Sequence, residues 1–597
     1  MLSVVALVCS FFISQKLPIL TDDAKNWMHL VKRSSRDILQ TISMVGGAII
    51  VAAFVPQVGL WFERIVLRSP RWAFLAVTVG LSIISSAWFA YDVMDRRTHI
   101  VDESAMLFQA EVLASGRLYA KAPPVPEAFD YEFIIVDGPK WYGKYFIGQS
   151  LFLVPGVWLG VPWLMHPLLI GACVWLTYVL GRDLLNEKIA RIAAILMVFS
   201  PLRLYIGGTM MGHASSLFML LVFAVATLKV VRDPKRWGWG LVAGGFLGLA
   251  CNARPLTVVG MAGAMGIAAM IAIEWRRLSI KTVVAFSAAL AIGVGIFFAY
   301  NKALTGSATL TPFNKWSAND RLGFGPEVGL EYWRKQDKGH TLYRGLFVDA
   351  YQNSYYIGSS VIGWGDITWP LLLLPLVLVP PWMAASPTVR KRWRGAGWTL
   401  SAVWLSLAFV HVFHVSSGEL WGQPRYWSEA LPEMILLIAI TLAMARVALP
   451  RVCRQVGIFP AVRTGRSAVW LTGVMLVVAS WYIGHRQLIN KSEIFVQVAN
   501  VPRLAANEGN SNALVFMKTG SFRTVAKDKK GDEYLNVFME NNPNLTSPVI
   551  YARDLGPAKN AELAKHFLDR KLYWLGRDKL DGMKYHPVDH VGAIPVK

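Results

Sequence analysis

Long apolar runs broken by short basic connections set the pattern of this chain. Runs long enough to cross a membrane cover 72–91, 166–181, 189–206, 213–231, 238–253, 256–273, 281–300, 367–384, 398–416, 429–448 and 468–484. Roughly 20 apolar residues, rising ~1.5 Å each, cover a ~30 Å hydrocarbon core, so each run is predicted as a spanning helix. A further run, 149–165, contains Pro155, Pro162 and two glycines and reads as a re-entrant or surface-lying piece. Near the start, 3–20 and 42–61 are apolar enough to insert. The basic clusters Lys32, Arg33, Arg36 and Arg64, Arg68, Arg71 leave one or two spans there. The expected class is therefore a polytopic α-helical membrane protein with about 12–13 transmembrane helices. Past residue 485 the pattern becomes polar. Short apolar runs (Ala513 to Met517, Pro548 to Tyr551, Lys571 to Leu575) alternate with a helical stretch near Asn560 to Leu568, which predicts a small C-terminal α/β domain. Three parts result: 1–71, a membrane module 72–485, and 486–597.

Composition agrees. Of 597 residues 54% are hydrophobic and 16% charged, with a mean hydropathy of +0.41, too apolar for a soluble or disordered chain. The net charge of +22 is unevenly placed. Connections 182–191, 229–236, 274–281, 384–397 and 445–467 hold 19 Lys and Arg against four acids, a net +15. The positive-inside rule makes these cytoplasmic. The first loop (92–165, six basic and nine acidic residues), the long loop 301–366 and the C-terminal domain then face outward. The charge records topology, and no nucleic-acid partner is implied. Four cysteines, without zinc-site spacing, indicate neither a metal cluster nor a disulfide framework.

Ionisable residues are costly near membrane depth and mark candidate sites. Here they gather on the outer side: Asp102, Glu103, Lys144, His213, Arg254, His411, His414 and Arg425. Residues 101–119 read as a short amphipathic helix ending at Gly116, with the acidic pair at its start. Asp102 there is either a helix cap, accepting backbone N–H bonds, or a general base facing an acceptor hydroxyl. Arg254 either snorkels to headgroups or contacts phosphate, for which a forked guanidinium is suited. Arg425, beside Tyr426 and Trp427, reads similarly. His411 and His414, three apart and followed by Glu419, suit a divalent ion; with no third ligand fixed, a metal stays open and no cofactor is certain. Gly240, Gly244 and Gly248, four apart, predict close helix packing.

Several stretches then occur in a telling order: the Asp102-Glu103 helix, Gly143-Lys-Tyr-Phe-Ile-Gly-Gln-Ser-Leu151, Gly245-Phe-Leu-Gly-Leu-Ala-Cys-Asn-Ala-Arg-Pro-Leu-Thr257, Asn301-Lys-Ala-Leu-Thr-Gly-Ser307 and Gly422-Gln-Pro-Arg-Tyr-Trp-Ser-Glu-Ala-Leu-Pro432. Together they resemble the GT-C fold glycosyltransferases, the superfamily of protein O-mannosyltransferases and lipid A aminoarabinose transferases. The resemblance implies a polyprenyl-phosphate sugar as donor and an envelope glycan, lipid or protein as acceptor, on the outer face of a bacterial inner membrane. It implies Asp102 as catalytic base supported by Glu103, and Lys144 as the holder of the donor phosphate, beside which Tyr145 and Arg254 or Arg425 are expected from their own chemistry. One departure stands out: His213 occupies a position where many relatives carry a second acid. The rival classes are a transporter or flippase of a lipid-linked substrate, which predicts inverted repeats that the sequence does not show, and a non-catalytic scaffold for envelope polymer assembly.

Overall fold

The computed structural model describes residues 46–48, 50–329, 339–365, 368–377, 387–420, 422–455, 462–484, 486, 488–490, 511–517, 541–578 and 582–591. The apolar run 3–20 lies outside them. Helices follow the apolar pattern: α1 (Arg71–Trp88), α2 (Val101–Ala114), α3 (Ile147–Trp158), α4 (Met165–Leu184), α5 (Glu187–Val198), α6 (Pro201–Gly208), α7 (His213–Arg232), α8 (Trp237–Cys251), α9 (Pro255–Ala272), α10 (Ile280–Thr305), α11 (Pro387–His411), α12 (Leu431–Gln455) and α13 (Val462–Ala479). The chain is a polytopic α-helical membrane protein. Among the described residues six helices are long and apolar enough to cross a membrane, or eight if each of two bent pairs is one span.

One of those bends corrects the sequence reading. The run 189–206, expected as one helix, is α5 and α6 meeting at 61°. Pro201 has no N–H to continue α5, and the Ser200 hydroxyl caps α6 by accepting from the Arg203 N–H. Arg203 fills the bend, fully buried, donating to the Ser82 carbonyl and to the hydroxyls of Ser85 and Ser86 at 2.8–3.3 Å. Helix α3 has 12 residues, about 18 Å of rise, too short to span by itself. Helices α8 and α10 approach closely at the three spaced glycines. A Cβ on Gly240, Gly244 or Gly248 would run into the backbone of Thr282, Phe286 or Gly293.

The first loop folds into α2 and a small antiparallel sheet ordered β1 (Ala120–Lys121), β3 (Lys140–Gly143), β2 (Ile134–Asp137). A two-stranded ribbon, β4 (Glu419–Leu420) with β5 (Gln423–Pro424), precedes α12. The C-terminal region forms a four-stranded sheet ordered β7 (Val549–Arg553), β6 (Ala513–Met517), β8 (Lys571–Asp578), β9 (Gly582–Pro587), with helix α14 (Pro557–Ala564) between β7 and β8. Strand β6 runs parallel to both neighbours; β9 is antiparallel to β8. The predicted short apolar runs are these strands.

The two regions share one apolar core, in which Phe108, Val112, Phe129 and Trp141 pack with Leu514, Phe516, Ile550 and Ala552. Polar contacts rim it. Arg117 donates to the Asn544 side chain at 2.6 Å, Lys559 pairs with Glu127 at 2.8 Å, Arg553 with Asp130 at 3.5 Å, and the Asn541 amide meets the Tyr131 hydroxyl. The first loop and the C-terminal sheet therefore lie on the same side of the membrane.

Candidate functional site

The site begins at the N-terminus of α2. Its cap position is Ile100, and no side chain caps it, so the capping reading of Asp102 fails. Asp102 stands two residues into the helix, and its side chain reaches a neighbouring element. Its Oδ1 accepts from the Tyr145 hydroxyl at 2.6 Å and lies 3.8 Å from the Arg425 guanidinium. The reach-back expected of a capping side chain belongs to Glu103, whose Oε2 accepts the His99 N–H at 2.9 Å. Helix α2 is also less amphipathic than expected, because the first-loop sheet and the neighbouring helices cover most of its faces.

Lys144 follows β3, and local packing fixes it. Gly143 sits so close to α2 that a Cβ would strike the Ala105 carbonyl, and its N–H donates to the Gln109 side chain at 3.0 Å. The Lys144 N–H donates to the carbonyl of Phe133, a residue in the left-handed region at φ 65°, where bulky side chains are rare. This turns the Phe133 ring under the Lys144 ammonium, 3.6 Å from the ring centre. Trp316 and Phe313 close the other sides at 4.5 and 4.8 Å. Lys144 is 2% exposed, and its Nζ donates to Asp320 at 3.0 Å.

Arg254 ends the turn between α8 and α9. The Gly148 N–H donates to the Asn252 carbonyl at 2.7 Å, and the Asn252 amide donates to Gly293 at 2.8 Å, so three of the quoted stretches or their neighbours meet at one turn. Arg254 Nε pairs with Glu429 at 2.9 Å. The same Glu429 oxygen lies 3.1 Å from His213 Nδ1 at the start of α7. Tyr426 forms the hub. Arg254 and Arg425 lie over its ring at 5.3 and 5.1 Å, His411 stacks on it at 5.3 Å, and His414 meets it edge-on at 5.0 Å.

All ten sequence candidates are therefore placed around one centre, but three of them not as a metal trio. His411 and His414 direct Nδ1 at the carbonyls of Leu407 and Ser416, and Glu419 holds the Gly422 N–H and approaches Gln352. Among the described residues no group of three or more His, Cys, Asp or Glu is arranged to hold a metal ion. Sequence reading missed Asp320, Tyr426 and Glu429 as participants. Tyr426 and Glu429 lay inside a quoted stretch, and a buried acid amid apolar residues was a usable signal for Glu429. Asp320 sits in a polar loop and carries no such contrast.

Electrostatics separate the acidic pair. Burial acts to raise the Asp102 carboxyl, but Arg425, the Tyr145 hydrogen bond and Lys144 outweigh it and hold it below the usual carboxylate range. Burial, aided by the Asp102 charge, pushes Glu103 up to about 8. At neutral pH the pair thus carries one negative charge, on Asp102. Three cations, Lys144, Arg254 and Arg425, face three anions, Asp320, Glu429 and Asp102, and each cation has one anion beside it. Such an arrangement can accept a hydroxyl proton at Asp102 and stabilise negative charge released nearby.

Comparison with known proteins points the same way for part of the chain. Residues 149–300, about a quarter of it, match the family model for dolichyl-phosphate-mannose-protein mannosyltransferase. That segment carries His213 and Arg254; Asp102, Lys144 and Arg425 lie outside it. A search of curated protein sequences finds no match. Among solved structures the chain is similar to ArnT from Cupriavidus metallidurans bound to undecaprenyl phosphate, at 13% identity, covering 84% of this chain and 92% of that one with a TM-score of 0.48. It is also similar to the apo Archaeoglobus fulgidus oligosaccharyltransferase (11% identity, 84% and 69% covered, TM-score 0.44). A third similarity is to AglB from Archaeoglobus fulgidus in complex with an inhibitory peptide and a dolichol-phosphate (11%, 90% and 75%, 0.43). With TM-scores below 0.5, the architecture rests on the helices of this chain.

Proposed function

We propose that this protein is a membrane glycosyltransferase that moves a sugar from a polyprenyl-phosphate donor to an envelope glycan, lipid or protein acceptor on the extracytoplasmic side of a bacterial inner membrane. The observation that carries the reading is the juxtaposition of an ionised, hydrogen-bonded Asp102 with Lys144, Arg254 and Arg425 in one buried cluster. The match of residues 149–300 to a mannosyltransferase family supports it. Because nucleotide sugars stay in the cytoplasm, an outward site needs a sugar delivered on a membrane lipid, and apolar helices beside the cluster suit its isoprenoid tail.

Asp102 takes the proton from the acceptor hydroxyl as that oxygen attacks the anomeric carbon. The bond from the anomeric carbon to the phosphate oxygen breaks, its electron pair leaves with the phosphate, and the cations stabilise that charge. A single displacement inverts the anomeric configuration. Glu103, neutral, hydrogen-bonds the backbone and adds no second negative charge beside the base. The long outer loop and the C-terminal domain flank the acceptor side.

The test is Asp102→Asn in purified protein supplied with lipid-linked sugar and an envelope acceptor extract. Transfer should fall by about 10²–10⁴-fold, the usual contribution of a positioned base; full retention would sink the assignment. A reporter fused after residue 485 checks the orientation, and a cytoplasmic signal would overturn it.

A further inference from the structure

The lysine assigned to the donor phosphate is already occupied by an anion of the chain itself. Lys144 is buried, ringed by Phe133, Phe313 and Trp316, and its ammonium bonds Asp320 at 3.0 Å. An ammonium has three donors, but the three rings cover the sides of Lys144 that Asp320 leaves, so a phosphate oxygen reaches it in place of the carboxylate. The charge balance sharpens the point. With three cations matched by three anions, a phosphate adds an unbalanced charge to the buried cluster, and withdrawal of one anion restores the balance.

The three anions differ in how they are held. Asp102 belongs to α2, and Glu429 is fully buried in the turn leading into α12, bridging Arg254 and His213. Asp320 alone sits on a loop, just after the short helix Pro312–Trp316, with its carboxylate 12% exposed. Among the described residues its own backbone is tied locally, by the Ser317 carbonyl at 3.1 Å and the Asn314 amide at 3.3 Å, while the Gly329 N–H holds the neighbouring Asn319 carbonyl at 2.8 Å. It can withdraw without breaking a helix. Asp320 also lies near enough to His414 and Tyr426 to interact with them electrostatically, which puts it inside the cluster and not at its rim.

We propose that Asp320 is a built-in surrogate for the donor phosphate, an autoinhibitory anion that holds Lys144 in the empty site, yields to the incoming lipid phosphate and returns to help expel the phosphate product. It sets the affinity of the site: the donor must displace a bound carboxylate and not merely a shell of water. This rests on the donor reading above.

The test measures binding of undecaprenyl phosphate to the full-length protein in detergent, for wild type, Asp320→Asn, Asp320→Ser, Lys144→Ala and the Lys144→Ala/Asp320→Asn double variant. Removing a charge-assisted competitor should tighten binding by roughly tenfold or more in both Asp320 variants. The gain should vanish when Lys144 is absent, and faster turnover at low donor should come with slower release of the phosphate product. If wild type binds and Lys144→Ala binds weakly, but both Asp320 variants bind as wild type or worse, Asp320 only positions the lysine and the proposal is overturned. If wild type does not bind the lipid and no variant does, the donor reading itself falls and the proposal with it. Melting curves for each variant separate misfolding from lost affinity, and the two side chains, one isosteric and one small, guard against a single unstable variant.

Discussion

Glu103→Gln should leave this protein more stable than wild type at neutral pH. Glu103 is fully buried, one oxygen accepts the His99 N–H, and burial with the adjacent Asp102 charge pushes its pKa from an ordinary 4.5 to about 8. Between those values the folded state holds a proton that the unfolded chain has released, so folding stability falls as pH climbs from about 4.5 to about 8 and levels off beyond. At pH 7 the gap of about 2.5 units, at ~1.4 kcal/mol per unit, costs about 3 kcal/mol, an order-of-magnitude figure. Glu103→Gln keeps the shape and the acceptor for His99 and removes the titration. The variant should match wild type near pH 4.5 and exceed it by about 3 kcal/mol at pH 7, with no further gain above pH 8. Thermal unfolding of both proteins in one detergent at half-unit pH steps reads this directly. Parallel curves from pH 5 to 8.5 would show that Glu103 is ionised in the fold, and the single-charge description of the acidic pair would fail.

Three further outcomes follow from the same cluster. Tyr145→Phe deletes the 2.6 Å bond that helps to hold the Asp102 pKa down; the acid limb of kcat/KM should therefore move to higher pH, and an unmoved limb would count against Asp102 as the titrating base. Glu429→Gln leaves Arg254 and His213 without their carboxylate and should destabilise by about 3 kcal/mol, the low end for a broken buried pair because Arg254 keeps some solvent access; a melting temperature within a degree of wild type would contradict it. Asn541→Ala removes the bonds to the Tyr131 hydroxyl and to both backbone groups of Tyr551. Protease should then cut the first loop faster, and equal rates would argue that the C-terminal sheet does not brace it.

Much of this was readable from the chain because an apolar background makes polar residues conspicuous. Arg254 and Arg425 each break a sparsely charged context, Asp102 and Lys144 lie in a loop between apolar runs, and the fold carries all four to one place. The glycine spacing over 240–248 likewise announced a close helix contact, and α10 is the partner. What stayed hidden depended on partners far away in sequence. Whether Asp102 caps a helix or faces Tyr145 turns on a loop 43 residues on. His411 and His414 have the spacing of ligands, yet the Tyr426 ring draws them to different sides of itself. The bend at Ser200 was signalled by Ser-Pro, but hydropathy averaged across it. Asp320 looks like any loop aspartate until Lys144 is seen beneath it.

The joint between the first loop and the C-terminal sheet also ties α2 to residues made much later in the chain. Tyr131 and Asn541 are 410 positions apart, and Phe129 and Trp141 share their core with strands that lie beyond α13 in the chain. During synthesis α2 and the first-loop sheet are made early, and their apolar underside stays uncovered until β6, β7 and β8 have followed. A chain interrupted between α13 and β6 would carry Asp102, Lys144, Arg254, Asp320, Arg425 and Glu429 and still lack the apolar partners that brace its first loop.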